Sequence, residues 1–159
     1  MATTTLFLMR HGPAEDDSPD GDFGRRLTAA GDATVQQVLE RQRDELANVQ
    51  RVLTSPLKRA WQTAERVTQR VGLQHGPWAA EALASGGGPD AMVDEILVHT
   101  DVHTLLVVGH MPDLCTLSYR LLADAKQTVS FKPAAIARVD FAQAVARQSG
   151  TLAWYTAPE

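Results

Sequence analysis

Cysteine is almost absent from this chain of 159 residues. Cys115 is the only one, so no intramolecular disulfide can form and the fold must rest on its core. Its setting, Asp113-Leu114-Cys115-Thr116-Leu117, reads as a helix with Cys115 at a structural core position. Long apolar runs are missing too: nothing approaches eighteen consecutive apolar residues, and no charged start followed by an apolar stretch opens the chain. The expectation is a cytoplasmic protein with no membrane association. Positive charge is not in excess, since 15 Lys and Arg face 19 Asp and Glu for a net charge of −4, which argues against general binding to nucleic acid or anionic membranes. Internal repeats, linkers and carboxylate clusters with metal-binding spacing are also lacking. His99 and His103 have a spacing that can place two ligands on one helix face, but Thr100-Asp101-Val102 and a strand starting at Thr104 interrupt such a helix, and no third ligand accompanies them. No metal and no cofactor are therefore expected. With 44% hydrophobic residues, residues 1–159 are expected to form one domain, large enough to bury a core, too short for a second, and monomeric.

What the chain does have is a set of short apolar runs that end in chemistry-bearing residues. Leu6-Phe7-Leu8-Met9 reads as a buried strand closed by Gly12-Pro13, which puts Arg10 and His11 at its carboxyl end. Ligands of open α/β sheets bind at that end. Leu105-Leu106-Val107-Val108 ends in Gly109-His110-Met111-Pro112 in the same way, and Val52-Leu53-Thr54 is closed by Ser55-Pro56 and leads into Leu57-Lys58-Arg59-Ala60-Trp61-Gln62-Thr63-Ala64. Three strand ends thus carry Arg-His, Arg and His. A histidine can form a covalent phosphoryl intermediate, and arginine supplies a permanently charged fork for phosphate oxygens. The pattern points to phosphoryl chemistry within a local positive pocket of an acidic molecule.

Between these motifs the coarse pattern alternates strand and helix. Strands are expected at 4–10, 50–54, within 73–80, and at 104–108, 134–141 and 150–155. Residues 13–26 read as a loop, a length that is uncommon in compact domains unless functional. A helix follows from Thr28 as N-cap, with Val35, Val38, Leu39 and Leu46 on its apolar side. The next is expected to start with Ser55 as cap and Pro56 at the first helical position and to end at Gly72. Gly86-Gly87-Gly88-Pro89 breaks the chain before a helix over 90–99, and another spans 112–122. This alternation gives an α/β fold, a three-layer α/β/α sandwich with a mostly parallel central sheet.

The early Arg-His-Gly, the middle Ser-Pro-x-x-Arg-Ala-x-Gln-Thr and the late Gly-His resemble the histidine phosphatase superfamily, the phosphoglycerate-mutase-like fold, in order, spacing and strand context. With Arg25-Arg26-Leu27-Thr28 and the short length, the chain is most similar to SixA-type phosphohistidine phosphatases, over essentially all 159 residues. Larger members cap the active site with inserted helices, for which this chain has no room, so no cap domain is expected. An open site suits a phosphoryl group presented on a protein surface or broad access by small phosphates.

The resemblance and the residues together assign roles. His11 is the expected nucleophile, attacking phosphorus through a neutral ring nitrogen while its other nitrogen is held by a backbone carbonyl near Gly12. Arg10 and Arg59 are expected to clamp the equatorial phosphoryl oxygens, with help from the helix N-terminus after Pro56. His110 matches the family's second histidine, which binds a phosphoryl oxygen. Arg25 matches the arginine before Pro-Leu-Thr of SixA-type sequences, while Arg26 takes the proline's place, so either arginine is a candidate for the pocket. Glu81 is the nearest candidate for the general acid that the family often places after strand three. The phytase-like branch has an Asp directly after the second histidine, where this chain has Met111. Asp17 stands where mutases carry an asparagine, and a carboxylate there would repel a bound phosphoryl group. Imidazole leaves far more readily than an alkoxide, so an uncertain acid favours P–N over P–O cleavage. The expected function is hydrolysis of phosphohistidine, as on a phosphotransfer domain of a two-component relay. The alternatives are a small-molecule phosphomonoesterase and a phosphoprotein-binding module without turnover, and His11 speaks against the last because binding needs only the arginines.

Overall fold

The computed structural model describes residues 3–84 and 86–159. Six strands form one sheet: β1 (Thr4–Arg10), β2 (Arg51–Thr54), β3 (Trp78–Ala79), β4 (Thr104–Gly109), β5 (Ile136–Phe141) and β6 (Thr151–Thr156), in the order β3-β2-β4-β1-β5-β6. The pairs β3/β2, β2/β4 and β4/β1 are parallel, whereas β5 is antiparallel to both β1 and β6. The sheet is therefore mostly parallel, with one reversed strand near its edge.

Alternation along each strand sends side chains to opposite faces. Leu6, Leu8, Leu53, Leu105 and Val107 pack with α4 (Pro89–Leu97) and α5 (Asp113–Leu121) through Met92, Val93, Ile96, Leu114, Leu117 and Leu121. Phe7, Met9, Val52, Leu106 and Val108 face α1 (Ala29–Arg41), the short α2 (Arg43–Leu46) and α3 (Lys58–Val71), meeting Val35, Val38, Leu39, Leu46, Ala60, Ala64 and Val67. Helices thus cover both faces, as the strand-helix alternation implies. The central strands are apolar on both sides for this reason. Among the described residues no helix is long and apolar enough to cross a membrane.

Thr28 caps α1, its side chain accepting from the Gly31 amide, and α3 ends at Gly72. The start of α3 corrects the sequence reading. Leu57 is the N-cap residue and makes no side-chain cap, so Ser55 and Pro56 precede the helix. Cys115 also differs from expectation. It is only half-buried, because the core face of α5 is taken by Leu114, Leu117 and Leu121.

Candidate active site

Register brings the strand ends together. Arg10 pairs with Gly109 and Thr54 with Val108, so the residues that follow, His11, His110 and Ser55, emerge side by side at the carboxyl edge of the parallel strands. The backbone stays tied beyond the strands: the His11 amide donates to Gly109 O, the Ser55 amide to Val108 O, and the Ala134 amide to His11 O. The turn at Gly12 is locked from the other side. A Cβ on Gly12 would lie 2.4 Å from Val35 Cγ2, and one on Gly31 would lie 1.9 Å from the Pro13 carbonyl oxygen. Glycine at both positions is what lets the N-terminus of α1 close against the loop that carries His11.

His11 is 8% exposed, and its Nδ1 meets the Gly12 carbonyl at 2.7 Å. A carbonyl only accepts, so Nδ1 carries the proton and Nε2 presents its lone pair. That nitrogen faces the Nε–H of Arg59 at 3.3 Å. Burial, opposed in part by the Gly12 hydrogen bond and reinforced by His110, Arg59 and Arg10, drives the His11 pKa down to about 3. The ring is neutral at physiological pH, the state a nucleophile requires.

The His110 ring lies 5.2 Å from that of His11, centroid to centroid, and is 3% exposed. Its Nε2 is 2.7 Å from Ser55 Oγ, which also accepts from the Leu57 amide. The hydroxyl can accept from Leu57 while donating its proton to Nε2, an arrangement in which the neutral ring carries its own proton on Nδ1. His110 Nδ1 is buried and has no partner among the described residues. Burial, with Arg59 next, lowers the His110 pKa to about 4. Ser55, assigned to a cap from the sequence, holds the Leu57 amide and also orients this histidine. Its position after a strand and before proline is equally compatible with both jobs, so the sequence carried no signal to separate them.

Arg10 donates from one terminal nitrogen to the Phe131 carbonyl at 2.9 Å, and its buried Nε has no partner among the described residues. Desolvation lowers its pKa, offset by Tyr155 and reinforced by Arg59, an expense that a bound anion would relieve. Arg59, on the first turn of α3, is 5% exposed and reaches the backbone oxygen of Asp22 at 2.8 Å and its carboxylate at 3.3 Å. Asp22 opens a 3-10 turn, Asp22–Gly24, inside the loop of residues 13–26. Its place in a run of loop acids gave no reason to choose it over Asp16, Asp17 or Asp20. Thr63, which closes the Ser-Pro-x-x-Arg-Ala-x-Gln-Thr motif without a role assigned from the sequence, receives the Gly12 amide at 3.1 Å.

The remaining candidates fall differently. Arg25 is half-buried and committed to the Glu15 carbonyl and, at 2.9 Å, to the Asp22 carboxylate; Arg26 is exposed, its amide bound to the Glu15 side chain. Arg25 is thus the member of the pair joined to Arg59, through Asp22. Glu81 follows β3 on the same sheet edge, where the Ala80 amide binds the Thr54 carbonyl, but its side chain is exposed and makes no hydrogen bond among the described residues. Asp17 is also exposed. His99 bonds to Arg51 and Glu95, and among the described residues no group of three or more His, Cys, Asp or Glu is placed to hold a metal ion. The arrangement can bind a tetrahedral oxyanion between two arginines and an N–H donor, with an unprotonated imidazole nitrogen, held by a long hydrogen bond from Arg59, beside it.

Comparison with known proteins identifies the family. A family model for branch 1 of the histidine phosphatase superfamily matches residues 6–80. The chain is 31% identical over 145 residues to a phosphohistidine phosphatase SixA homolog of Haemophilus influenzae, covering 84% of this chain and 86% of that protein. It is 30% identical over 158 residues to the phosphohistidine phosphatase SixA of Escherichia coli, covering 96% and 93%. A solved structure of the protein histidine phosphatase SixA complexed with tungstate superposes with a TM-score of 0.86 at 27% identity, over 98% of this chain and 97% of that one.

Proposed function

The chain belongs to the histidine phosphatase superfamily and, within it, to the SixA-type phosphohistidine phosphatases, and from that premise we propose that it hydrolyses phosphohistidine on a protein through a covalent intermediate on His11. Nε2 of His11 attacks phosphorus as the P–N bond to the substrate imidazole breaks, and that imidazole, protonated on its other ring nitrogen, takes the electron pair and departs neutral. Water then cleaves the P–N bond to His11, releasing inorganic phosphate and restoring the neutral ring. Arg10 and Arg59 hold the equatorial oxygens, whose charge persists through both displacements, and the Nδ1–H of His110 donates to one of them.

The observation that carries this reading is the His11 Nδ1 contact with Gly12 O at 2.7 Å, which leaves Nε2 unprotonated beside Arg59 and His110. The tungstate complex of a relative supports it, because tungstate is a tetrahedral oxyanion like phosphate. The phosphoryl carrier in this reading is a phosphotransfer domain of a two-component relay, whose histidine is presented on a protein surface. A phosphomonoesterase reading draws on Glu81, an exposed carboxyl on the same sheet edge with no partner among the described residues. A hydrolysis panel decides between them: phosphohistidine on a phosphotransfer domain should be turned over with a far higher kcat/KM than phosphoserine or small phosphomonoesters. Efficient turnover of a phosphomonoester with none of phosphohistidine would replace this function by the second.

A further inference from the structure

Every nitrogen of Arg59 is committed in the structure. Its Nε faces His11 Nε2 at 3.3 Å, one terminal nitrogen donates to Asp22 O at 2.8 Å and the other to Asp22 Oδ2 at 3.3 Å. On its far side the same carboxylate accepts from Arg25 at 2.9 Å. A carboxylate oxygen and a phosphoryl oxygen are alike as charged acceptors for a guanidinium N–H. The Asp22 carboxylate therefore occupies, through Oδ2, a terminal N–H of Arg59 that a clamped phosphoryl oxygen would need.

Both anions cannot share it. Two like charges at hydrogen-bond separation beside a buried arginine repel strongly, so a bound phosphoryl dianion must expel the carboxylate or bind against it. Asp22 is ionised at neutral pH, since the Arg25 hydrogen bond, followed by Arg59, holds its carboxyl below the usual range. It is also free to leave. Its side chain is 63% exposed, whereas that of Arg59 is 6% exposed, and rotation about its Cα–Cβ bond moves the carboxylate while the backbone carbonyl stays on Arg59. The turn is preceded by Gly21 at φ 78°, a conformation that side-chain-bearing residues rarely adopt.

We propose that the Asp22 carboxylate is an internal competitor for the phosphoryl site, seated on Arg59 in the free protein and displaced by substrate. The proposal rests on the reading of Arg59 as a phosphoryl clamp. It makes Asp22 a determinant of specificity. Inorganic phosphate, the product, must displace the carboxylate with nothing but its own oxygens, whereas a phosphoryl group on a protein brings the contacts of its carrier as well.

Asp22→Asn tests this, because it removes the charge and retains both the size and the backbone carbonyl that holds Arg59. Calorimetric titration with inorganic phosphate should give a Kd about two- to fivefold lower than in the wild type, the strength of a competing ion pair with one exposed partner. Phosphate should inhibit turnover more strongly by the same factor, and the gain should shrink in high salt. A residue that merely positioned Arg59 would give the opposite sign, so an equal or higher Kd in Asp22→Asn overturns the proposal. Arg59→Ala separates the two levels of the argument. If it binds phosphate poorly while Asp22→Asn binds no tighter, competition alone falls; if it binds phosphate as the wild type does, the clamp falls and the competition with it.

Discussion

Lowering the pH from 8 to 5 should destabilise this protein through two buried histidines, by an amount that can be worked out in advance. His11 and His110, 8% and 3% exposed, have pKa values lowered to about 3 and about 4. Unfolded, each titrates near its ordinary value of about 6.5. Between these values the unfolded chain binds protons that the folded chain refuses, so stability is fully present above pH 7 and is lost as pH falls below the unfolded pKa. At pH 5 the unfolded histidines are almost fully protonated and the folded ones almost wholly neutral. Each then costs about 2 kcal/mol, and the pair about 4 kcal/mol, a large part of the roughly 5–15 kcal/mol that holds a domain together. This figure depends on the unfolded pKa and on the folded values lying below 5, but hardly on how far below. Carboxylates and other groups titrate too, so the comparison is with a His11→Asn/His110→Asn variant. Urea denaturation at both pH values should show the wild type losing about 4 kcal/mol more than the variant between pH 8 and pH 5. Equal losses in the two proteins, or ring resonances of either histidine titrating near pH 6.5, would refute the reasoning.

Gly31→Ala should destabilise the protein by about 1–3 kcal/mol and lower activity with it, because the new Cβ would strike the Pro13 carbonyl and push the His11-Gly12 turn off α1; a denaturation midpoint within error of the wild type would contradict this. Glu81→Gln should impair phosphomonoester hydrolysis far more than phosphohistidine hydrolysis, by up to about 10²–10⁴-fold if Glu81 protonates an alkoxide. Identical rates for both substrates in the variant and the wild type would make Glu81 a surface carboxylate.

The architecture was legible because β1, β2 and β4 are short apolar runs cut off by Gly-Pro, Ser-Pro and Gly-His, and the three-layer arrangement follows from these central strands being apolar on both faces. The parallel register then did for the site what spacing alone could not, bringing His11, Ser55 and His110 to one edge from positions up to a hundred residues apart. The carbonyl that fixes the His11 tautomer was anticipated at Gly12 and is there. The job of Ser55 was missed. Serine before proline is a strong capping pattern, and only the neighbouring strand reveals that its hydroxyl serves His110. Asp22 was invisible for a related reason: loop 13–26 is rich in acids, and nothing local says which of them a helix arginine elsewhere in the chain will hold. Arg25 could be matched by pattern but not given a partner, since that partner is Asp22.

The central claim, nucleophilic catalysis by His11, meets its most direct test in trapping the intermediate. The protein is mixed with a phosphotransfer domain carrying ³²P-labelled phosphohistidine, quenched in alkali within the first turnover to preserve the P–N bond, and mapped by peptide. Label on the peptide containing His11, absent from His11→Ala along with activity, is the expected result. Label on another residue, or a His11→Ala variant that turns over at the wild-type rate, would contradict it.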